Sequence, residues 1–151
     1  MAGRPRHLIG PNLLIELCLQ TPRAMAWAAT VEDAHCVLSH LAIAIVRSVI
    51  NAQAKDEVSR DAWHQSLDAV VARMVVAGAE TVDLNTTILE KYPLYRLHAP
   101  LQSQSHVGPV RLAQDVRLLI TTAAVMDLIY TDVNDLYFEQ MATMGLKVKA
   151  L

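Results

Sequence analysis

Polar side chains follow the short apolar segments that the sequence predicts as strands. Asn12 comes after the first such segment, Ser39 after the second, and Asp132 and Asp135 after the fourth. In a parallel sheet, ligands bind outside the carboxyl ends of the strands, near the point where the strand order reverses. We therefore predict a ligand site at this edge, which the start of a later helix extends with Asp115.

Simpler structural explanations exist for the same residues, and the sequence leaves them open. Asp115 fits a first-turn acid favoured by the helix dipole, and Asp132 fits the N-cap of a following helix. Asn12 would then order the first loop. Glu16 lies one turn beyond Asn12, which suits either a solvated helix position or a side chain that faces the cleft.

A second metal-type pattern is present in the histidines. Glu32-x-x-His35 and Asp61-x-x-His64 have the i, i+3 spacing that di-iron helix bundles use. That architecture also needs two further carboxylates on other helices and a mid-helix position for Glu32, where the sequence predicts a loop. No glycine-rich phosphate loop occurs in the sequence, so nothing supports a nucleotide cofactor either.

Short β-type segments alternate with longer helical patterns along the chain. The predicted strands are residues 7–9, 35–38, 80–84, 128–131 and 146–149. One helix is predicted to start at residue 11. The other predicted helices cover residues 25–28, 40–52, 56–77, 86–97, 110–126 and 132–144. Single strands separated by helices indicate parallel βαβ units with both sheet faces covered. We therefore predict an α/β fold, a three-layer α/β/α arrangement around a parallel sheet of four or five strands.

Composition narrows the class further. The chain has 151 residues, of which 53% are hydrophobic and 19% charged, and its net charge is 13 minus 15, or −2. These values predict one folded domain over residues 1–151 and exclude a chain that is mostly disordered or a polyanion-binding coat. Cys18 and Cys36 lack metal-ligand spacing, which favours a reduced, cytoplasmic protein. No segment has the length of a membrane span or the pattern of a signal peptide.

Four segments resemble the PIN-domain family, in particular its VapC-type toxins. Residues 7–16 (HLIGPNLLIE) are similar to the family's LLDTNVLSE start, and residues 26–29 and 37–39 to its second segment. Residues 115–123 (DVRLLITTA) resemble the DALIAATA helix. Residues 132–136 (DVNDL) and 145–148 (GLKV) resemble the NVKDF and GLKV ending. The resemblance covers nearly the whole chain in order.

The resemblance implies a metal-dependent endoribonuclease in which about four acidic residues hold Mg²⁺ or Mn²⁺. The chain departs from that pattern at two of the four acids, where it has Gly10 and Ile45. Asp115 matches the third acid, and Asp132 matches the fourth with a one-residue ambiguity in register. Asn12 matches the asparagine of the family's opening segment. Asn12 and Ser39 are the candidates for substrate binding, and Glu16 and Asp135 are candidates to complete a metal site.

Three functions follow from this partial match. The favoured one is a toxin homologue with a degenerate nuclease site, which forms a homodimer, binds an antitoxin protein or RNA without cutting it, and needs no cofactor. The second is an active Mg²⁺- or Mn²⁺-dependent endoribonuclease that uses Asp115 and Asp132 with a reduced acidic cluster. The third is a structural or interaction protein with no retained site. The apolar composition favours the first and third, because dimer and peptide grooves need hydrophobic surface whereas catalysis does not.

Overall fold

The five strands form one parallel sheet in the computed structural model, which describes residues 3–97, 113–133 and 137–151. The spatial order is β3-β2-β1-β4-β5. The chain therefore moves outward from β1 to β3 and then crosses to β4 on the other side of β1, which places the reversal of strand order between β1 and β4. The strands are β1 (His7–Ile9), β2 (Cys36–Ser39), β3 (Glu80–Val82), β4 (Ile129–Asp132) and β5 (Val148–Ala150).

Helices connect these strands, and local sequence signals explain several of their ends. Proline at the first helical position opens both α1 and α2, where a missing N–H costs nothing. Ser39, Asp56 and Asn85 accept backbone N–H groups as N-caps of α3, α4 and α5. The helices are α1 (Pro11–Leu19), α2 (Pro22–Ala28), α3 (His40–Gln53), α4 (Glu57–Val76), α5 (Thr86–Lys91), α6 (Ala113–Val125) and α7 (Phe138–Thr143), with 3₁₀ turns at Asp33–His35 and Tyr92–Leu94.

Alternate residues of the central strands pack into two separate hydrophobic cores, one on each face of the sheet. On one face, Ile9 and Leu38 pack with buried residues of α1, α2 and α4. On the other face, Leu8, Val37 and Tyr130 pack with α6 and α7. Helix α3 contributes to both cores. This period-two alternation confirms the predicted three-layer α/β/α arrangement.

Some predicted boundaries were wrong. Strand β2 includes Ser39 and starts after His35, which belongs to a 3₁₀ turn. The helix predicted to reach residue 97 ends at Lys91, because Pro93 cannot continue it. Asp132 is the last residue of β4 and not the start of the next helix, and β5 begins only at Val148. The predicted loop at residues 100–107 and the helix start at residue 110 lie outside the described residues.

Helix α4 is as long as predicted, but its apolar stripe is only partly covered. Leu67 and Met74 are buried, whereas the Trp63 side chain near the start of the helix is 44% exposed. In the part of the chain that the structure describes, no helix is both long and apolar enough to cross a membrane.

Candidate functional site

The predicted ligand edge is where β1 and β4 end side by side. The Gly10 N–H donates to the Thr131 carbonyl at 2.7 Å, which extends the pairing of the two strands by one residue. Asp132, the next residue after Thr131, therefore lies beside Gly10 at the reversal of strand order. This is the position where open parallel sheets bind ligands.

The Asp132 carboxylate is fully buried at this point and accepts hydrogen bonds on both oxygens. Its Oδ1 accepts from the backbone N–H of Leu13 at 2.7 Å and from that of Val133 at 2.8 Å, and its Oδ2 accepts from the Tyr130 hydroxyl at 3.1 Å. Leu13 lies in the first turn of α1, whose N–H groups have no partner within the helix. Asp132 therefore caps α1 from a distant strand, which corrects the sequence interpretation that it caps the helix after β4.

Glycine is required at position 10 because there is no room for a side chain, and not because of its backbone conformation. Its φ and ψ angles of −72° and 159° suit any residue. A Cβ atom built on it would lie 2.2 Å from Asp132 Cγ, 2.3 Å from Oδ2 and 2.4 Å from Asp132 Cβ. The Asp132 side chain thus occupies the volume that any side chain at position 10 would need.

The other predicted site residues have structural contacts of their own. Asn12 Nδ2 donates to the Val133 carbonyl at 3.3 Å. Ser39 is buried and its Oγ accepts from Leu41 N at 3.1 Å as the cap of α3. Ile45 is partly buried and packs against the core beside α6. Asp115 lies partly buried in the first turn of α6, and Asp135 lies outside the described residues.

Glu16 is held by two residues at the start of α2, Thr21 and Arg23. Its carboxylate accepts from Arg23 Nε at 2.7 Å and from the Thr21 hydroxyl at 2.6 Å, and a second Arg23 nitrogen bonds its other oxygen. These hydrogen bonds, that from Arg23 foremost, hold the pKa of Glu16 below its usual value. An ion pair with a bidentate arginine competes with a role as metal ligand.

The Glu16–Arg23 pair predicts a pH dependence of stability. A carboxyl group whose pKa is lowered by folding stabilises the fold fully above its usual value of 4.5, and this contribution disappears as the pH falls through the lowered value. We expect Arg23→Met to flatten the loss of unfolding free energy between about pH 5 and pH 3, as measured by urea denaturation. Arg4→Met, which breaks a more exposed pair with Glu32, is the matched control and should leave the slope unchanged.

Four positions considered for a divalent metal centre carry no unengaged carboxylate among the described residues. Position 10 has no side chain and position 45 is a hydrocarbon. The Asp132 oxygens accept hydrogen bonds from backbone and tyrosine donors, and Glu16 is paired with Arg23. Among residues 3–97, 113–133 and 137–151, no three His, Cys, Asp or Glu side chains come together as a metal cluster.

The di-iron pattern is not assembled either. His64 Nδ1 lies 3.3 Å from Arg47 Nη1, and its Nε2 lies 2.8 Å from Asn51 Oδ1, so both ring nitrogens bridge α4 to α3. Glu32 precedes the 3₁₀ turn that contains His35 and pairs with Arg4. The two motifs therefore serve local contacts.

Burial also makes the two cysteines chemically quiet. Desolvation raises the pKa of the Cys36 thiol to about 12 and that of the Cys18 thiol to about 11. Both are free thiols, and both remain protonated at neutral pH, where thiolate chemistry is suppressed.

An apolar groove between α1, α3 and α4 is a feature that sequence analysis missed. It has a volume of about 170 Å³, and its rim includes Leu19, which is 69% exposed, and Trp63. The exposed apolar stripe of α4 was the available signal, because a large aromatic residue at helical spacing needs either a core or a partner. The lining is completed by Ile15, Cys18, Val46, Val49, Ile50, Gln53 and Ser66.

Comparison with known proteins identifies the fold. No protein-family model matches the sequence, and no curated protein matches it. Solved structures do match along nearly the whole chain. FitAcB from Neisseria gonorrhoeae has 15% sequence identity and a TM-score of 0.68, with 94% of this chain and 95% of that chain covered. VapBC2 from Rickettsia felis, bound to a promoter DNA fragment, has 13% identity and a TM-score of 0.68, with 96% and 98% covered.

A third solved structure is more distant. VapC20 from Mycobacterium tuberculosis, described as a sarcin-ricin loop cleaving toxin, has 9% identity and a TM-score of 0.56, with 93% of this chain and 95% of that chain covered. The chain therefore has the VapC-like PIN-domain fold that the sequence motifs predicted. At these identities the likeness defines the fold, and the function is argued from the site.

Proposed function

We propose that this protein is the toxin-type member of a toxin–antitoxin-like pair and uses the PIN-domain fold as a binding scaffold without metal-dependent RNA cleavage. The buried Asp132 carboxylate carries the proposal. It is bound by Leu13, Val133 and Tyr130 and fills the side-chain space at position 10, where the family has its first acid. The carboxylate thus stabilises the fold at the place where metal ligands would otherwise converge.

The apolar groove supports a protein partner. FitAB and VapBC structures with DNA are among those that this chain resembles. A groove lined mainly by aliphatic side chains, with Trp63 exposed at its rim, fits an apolar segment of such a partner. We propose that an antitoxin-like protein covers the groove, that the pair contains a homodimer of this chain, and that its free thiols belong to the reducing cytoplasm.

Absence of metal-dependent cleavage is tested directly. The purified protein is incubated with fluorogenic RNA in Mg²⁺ or Mn²⁺, beside a folded Asp115→Ala variant. We expect the two rates to be equal, and we expect calorimetric titration with Mn²⁺ to show no micromolar binding that depends on Asp115. Metal-dependent cleavage that Asp115→Ala abolishes would instead establish the active-nuclease alternative, with Asp132, Glu16 and Asp135 as the side chains to test next.

Partner binding in the groove predicts that a charge introduced there weakens the complex, whereas the same substitution elsewhere on the surface does not. The probe is any small DNA-binding protein that an open reading frame beside the gene for this chain encodes. Leu19→Lys puts a charge into the groove, and Leu94→Lys changes a leucine of similar exposure, 67% against 69%, outside it. Because full burial of a leucine contributes about 1.5–3 kcal/mol, we expect Leu19→Lys to weaken binding at least about tenfold. Equal effects of both variants would show that the groove is not the interface.

A further inference from the structure

A second cavity lies at the opposite edge of the sheet from the Gly10–Asp132 site. It has a volume of about 450 Å³, within the range of roughly 300–1,000 Å³ for small-ligand pockets. Its walls come from the segment that leads into β1, the loop after α2 and the 3₁₀ turn before β2. We call it the amino-edge cavity, and it is lined by Arg4, Pro5, His7, Ala29, Thr30, Val31, Glu32 and His35.

His7 gives this cavity a directional hydrogen-bonding group. The residue is buried, with only 7% of its surface exposed, and its Nδ1 lies 2.8 Å from Thr131 Oγ1. The Thr131 hydroxyl donates to the Ile129 carbonyl at 3.2 Å, which leaves its oxygen to accept, and from this pairing we assign the His7 proton to Nδ1. Nε2 is then an acceptor, and within the described ranges it has no hydrogen-bond partner.

The surroundings keep His7 neutral and fixed. Burial, with smaller contributions from the positive charges of Lys149 and His35, lowers the pKa of His7. Its ring packs edge-on against Trp27 with centroids 5.5 Å apart, which holds the orientation of the imidazole. A few polar groups of fixed direction give a small-ligand pocket its specificity, and His7 supplies one of them to the cavity that it lines.

Glu32 and Arg4 supply complementary groups at the same cavity. Arg4 Nη1 lies 3.2 Å from Glu32 Oε1, and His35 Nδ1 lies 3.6 Å from Glu32 Oε2. The cavity therefore offers two acceptors, the His7 imidazole and the Glu32 carboxylate, and one cationic donor. Pro5, Ala29 and Val31 give it apolar walls.

We propose that the amino-edge cavity binds a guanine base, which donates its N–H groups to His7 Nε2 and Glu32 and accepts a hydrogen bond from Arg4 on its carbonyl oxygen. Guanine presents two neighbouring donors, a ring N–H and an exocyclic amine, beside one acceptor, on a flat body that suits apolar walls. Adenine, cytosine and uracil each lack one of these features. The proposal is independent of the proposed function, because it concerns the other edge of the sheet.

Nucleotide binding to the whole chain tests this assignment. Guanosine monophosphate is titrated while the imidazole NMR signal of His7 and the heat of binding are followed. We expect a Kd below about 1 mM, at least about fivefold weaker binding for the adenosine, cytidine and uridine monophosphates, and at least about fivefold weaker guanosine binding in His7→Phe. His40→Phe, at the start of α3 on the opposite edge, is the matched control and should bind normally.

A second variant separates loss of binding from loss of folding. Ala29 is exposed in the wall, so Ala29→Trp fills the cavity from its mouth without touching the core, and it should abolish binding at an unchanged melting temperature. A pair of single-stranded RNA oligonucleotides, one with a single guanine and one with adenine in its place, distinguishes an RNA base from a free nucleotide as the source. No shift of the His7 signal with either source, or binding that survives Ala29→Trp, would overturn the proposal.

Discussion

Gly10→Ala is expected to destabilise the protein by about 3 kcal/mol, at the upper end of what overpacking costs. The added Cβ would meet the Asp132 carboxylate and Cβ at 2.2–2.4 Å, and that carboxylate cannot rotate away without leaving its backbone donors. Replacing glycine also lowers the conformational entropy of the unfolded chain, but this would stabilise the variant by only about 0.4–1 kcal/mol. Urea denaturation gives the free energy of unfolding directly.

The control for this prediction is Gly3→Ala, because a Cβ at Gly3 has no neighbour within 4 Å. Its stability should match that of the parent to within about 0.5 kcal/mol. A coupled variant identifies the cause. In an Asp132→Gly background, Gly10→Ala should cost less than about 1 kcal/mol, because the atoms that it meets are gone. A full cost in that background would show that the Asp132 side chain is not what excludes a residue at position 10.

The same contacts determine how an acid could be restored at position 10. The double substitution Gly10→Asp and Ile45→Glu restores the two missing acids of the family pattern at the level of sequence. With Asp132 in place, the aspartate side chain introduced at position 10 would begin inside the existing carboxylate. Restoration therefore requires Asp132→Gly as a third change, since even the Cβ of Asp132 lies 2.4 Å from the new Cβ.

Asp132→Ala is expected to cost about 3–5 kcal/mol. It removes the acceptor for the Leu13 and Val133 N–H groups and for the Tyr130 hydroxyl in a fully buried setting, and each buried donor left unpaired costs about 1–3 kcal/mol. Asp132→Asn keeps one oxygen for the backbone donors and gains an amide that can donate to the tyrosine oxygen, so we expect it to lose only about 1–2 kcal/mol. Thermal and urea unfolding measure both.

This prediction distinguishes a structural acid from a metal-binding acid. Clustered metal ligands repel one another in the apo protein, so removing one commonly raises stability while it lowers metal affinity. We expect the opposite for Asp132, with no change of the melting temperature on adding Mn²⁺ or a chelator. Asp115→Ala is the control and should cost no more than about 1 kcal/mol, the usual contribution of a first-turn acid. A stabilised Asp132→Ala variant would contradict the structural role.

Local patterns in the sequence predicted most of the architecture. Apolar strands followed by helical periodicity indicated a parallel sheet with both faces covered, and the predicted starts of α1, α3 and α4 lie within one residue of those in the structure. Boundaries were wrong where tertiary contacts decide them. Asp132 ends a strand because β5 pairs with β4 up to that residue and β1 pairs with β4 up to Thr131, although the residue type alone fits a helix cap equally well.

The sequence by itself determined the fold class, the order of its elements and the two positions, Gly10 and Ile45, where acids expected from the family resemblance are missing. Only the tertiary structure decided what those departures mean. Gly10 and Asp132 are 122 residues apart in the chain, and their dependence on each other arises from the parallel pairing of β1 with β4, which puts both at one point. The two acceptors of the amino-edge cavity likewise come from separate segments. Periodicity is a local property, whereas the occupation of space and the pairing of buried donors depend on residues that only folding brings together.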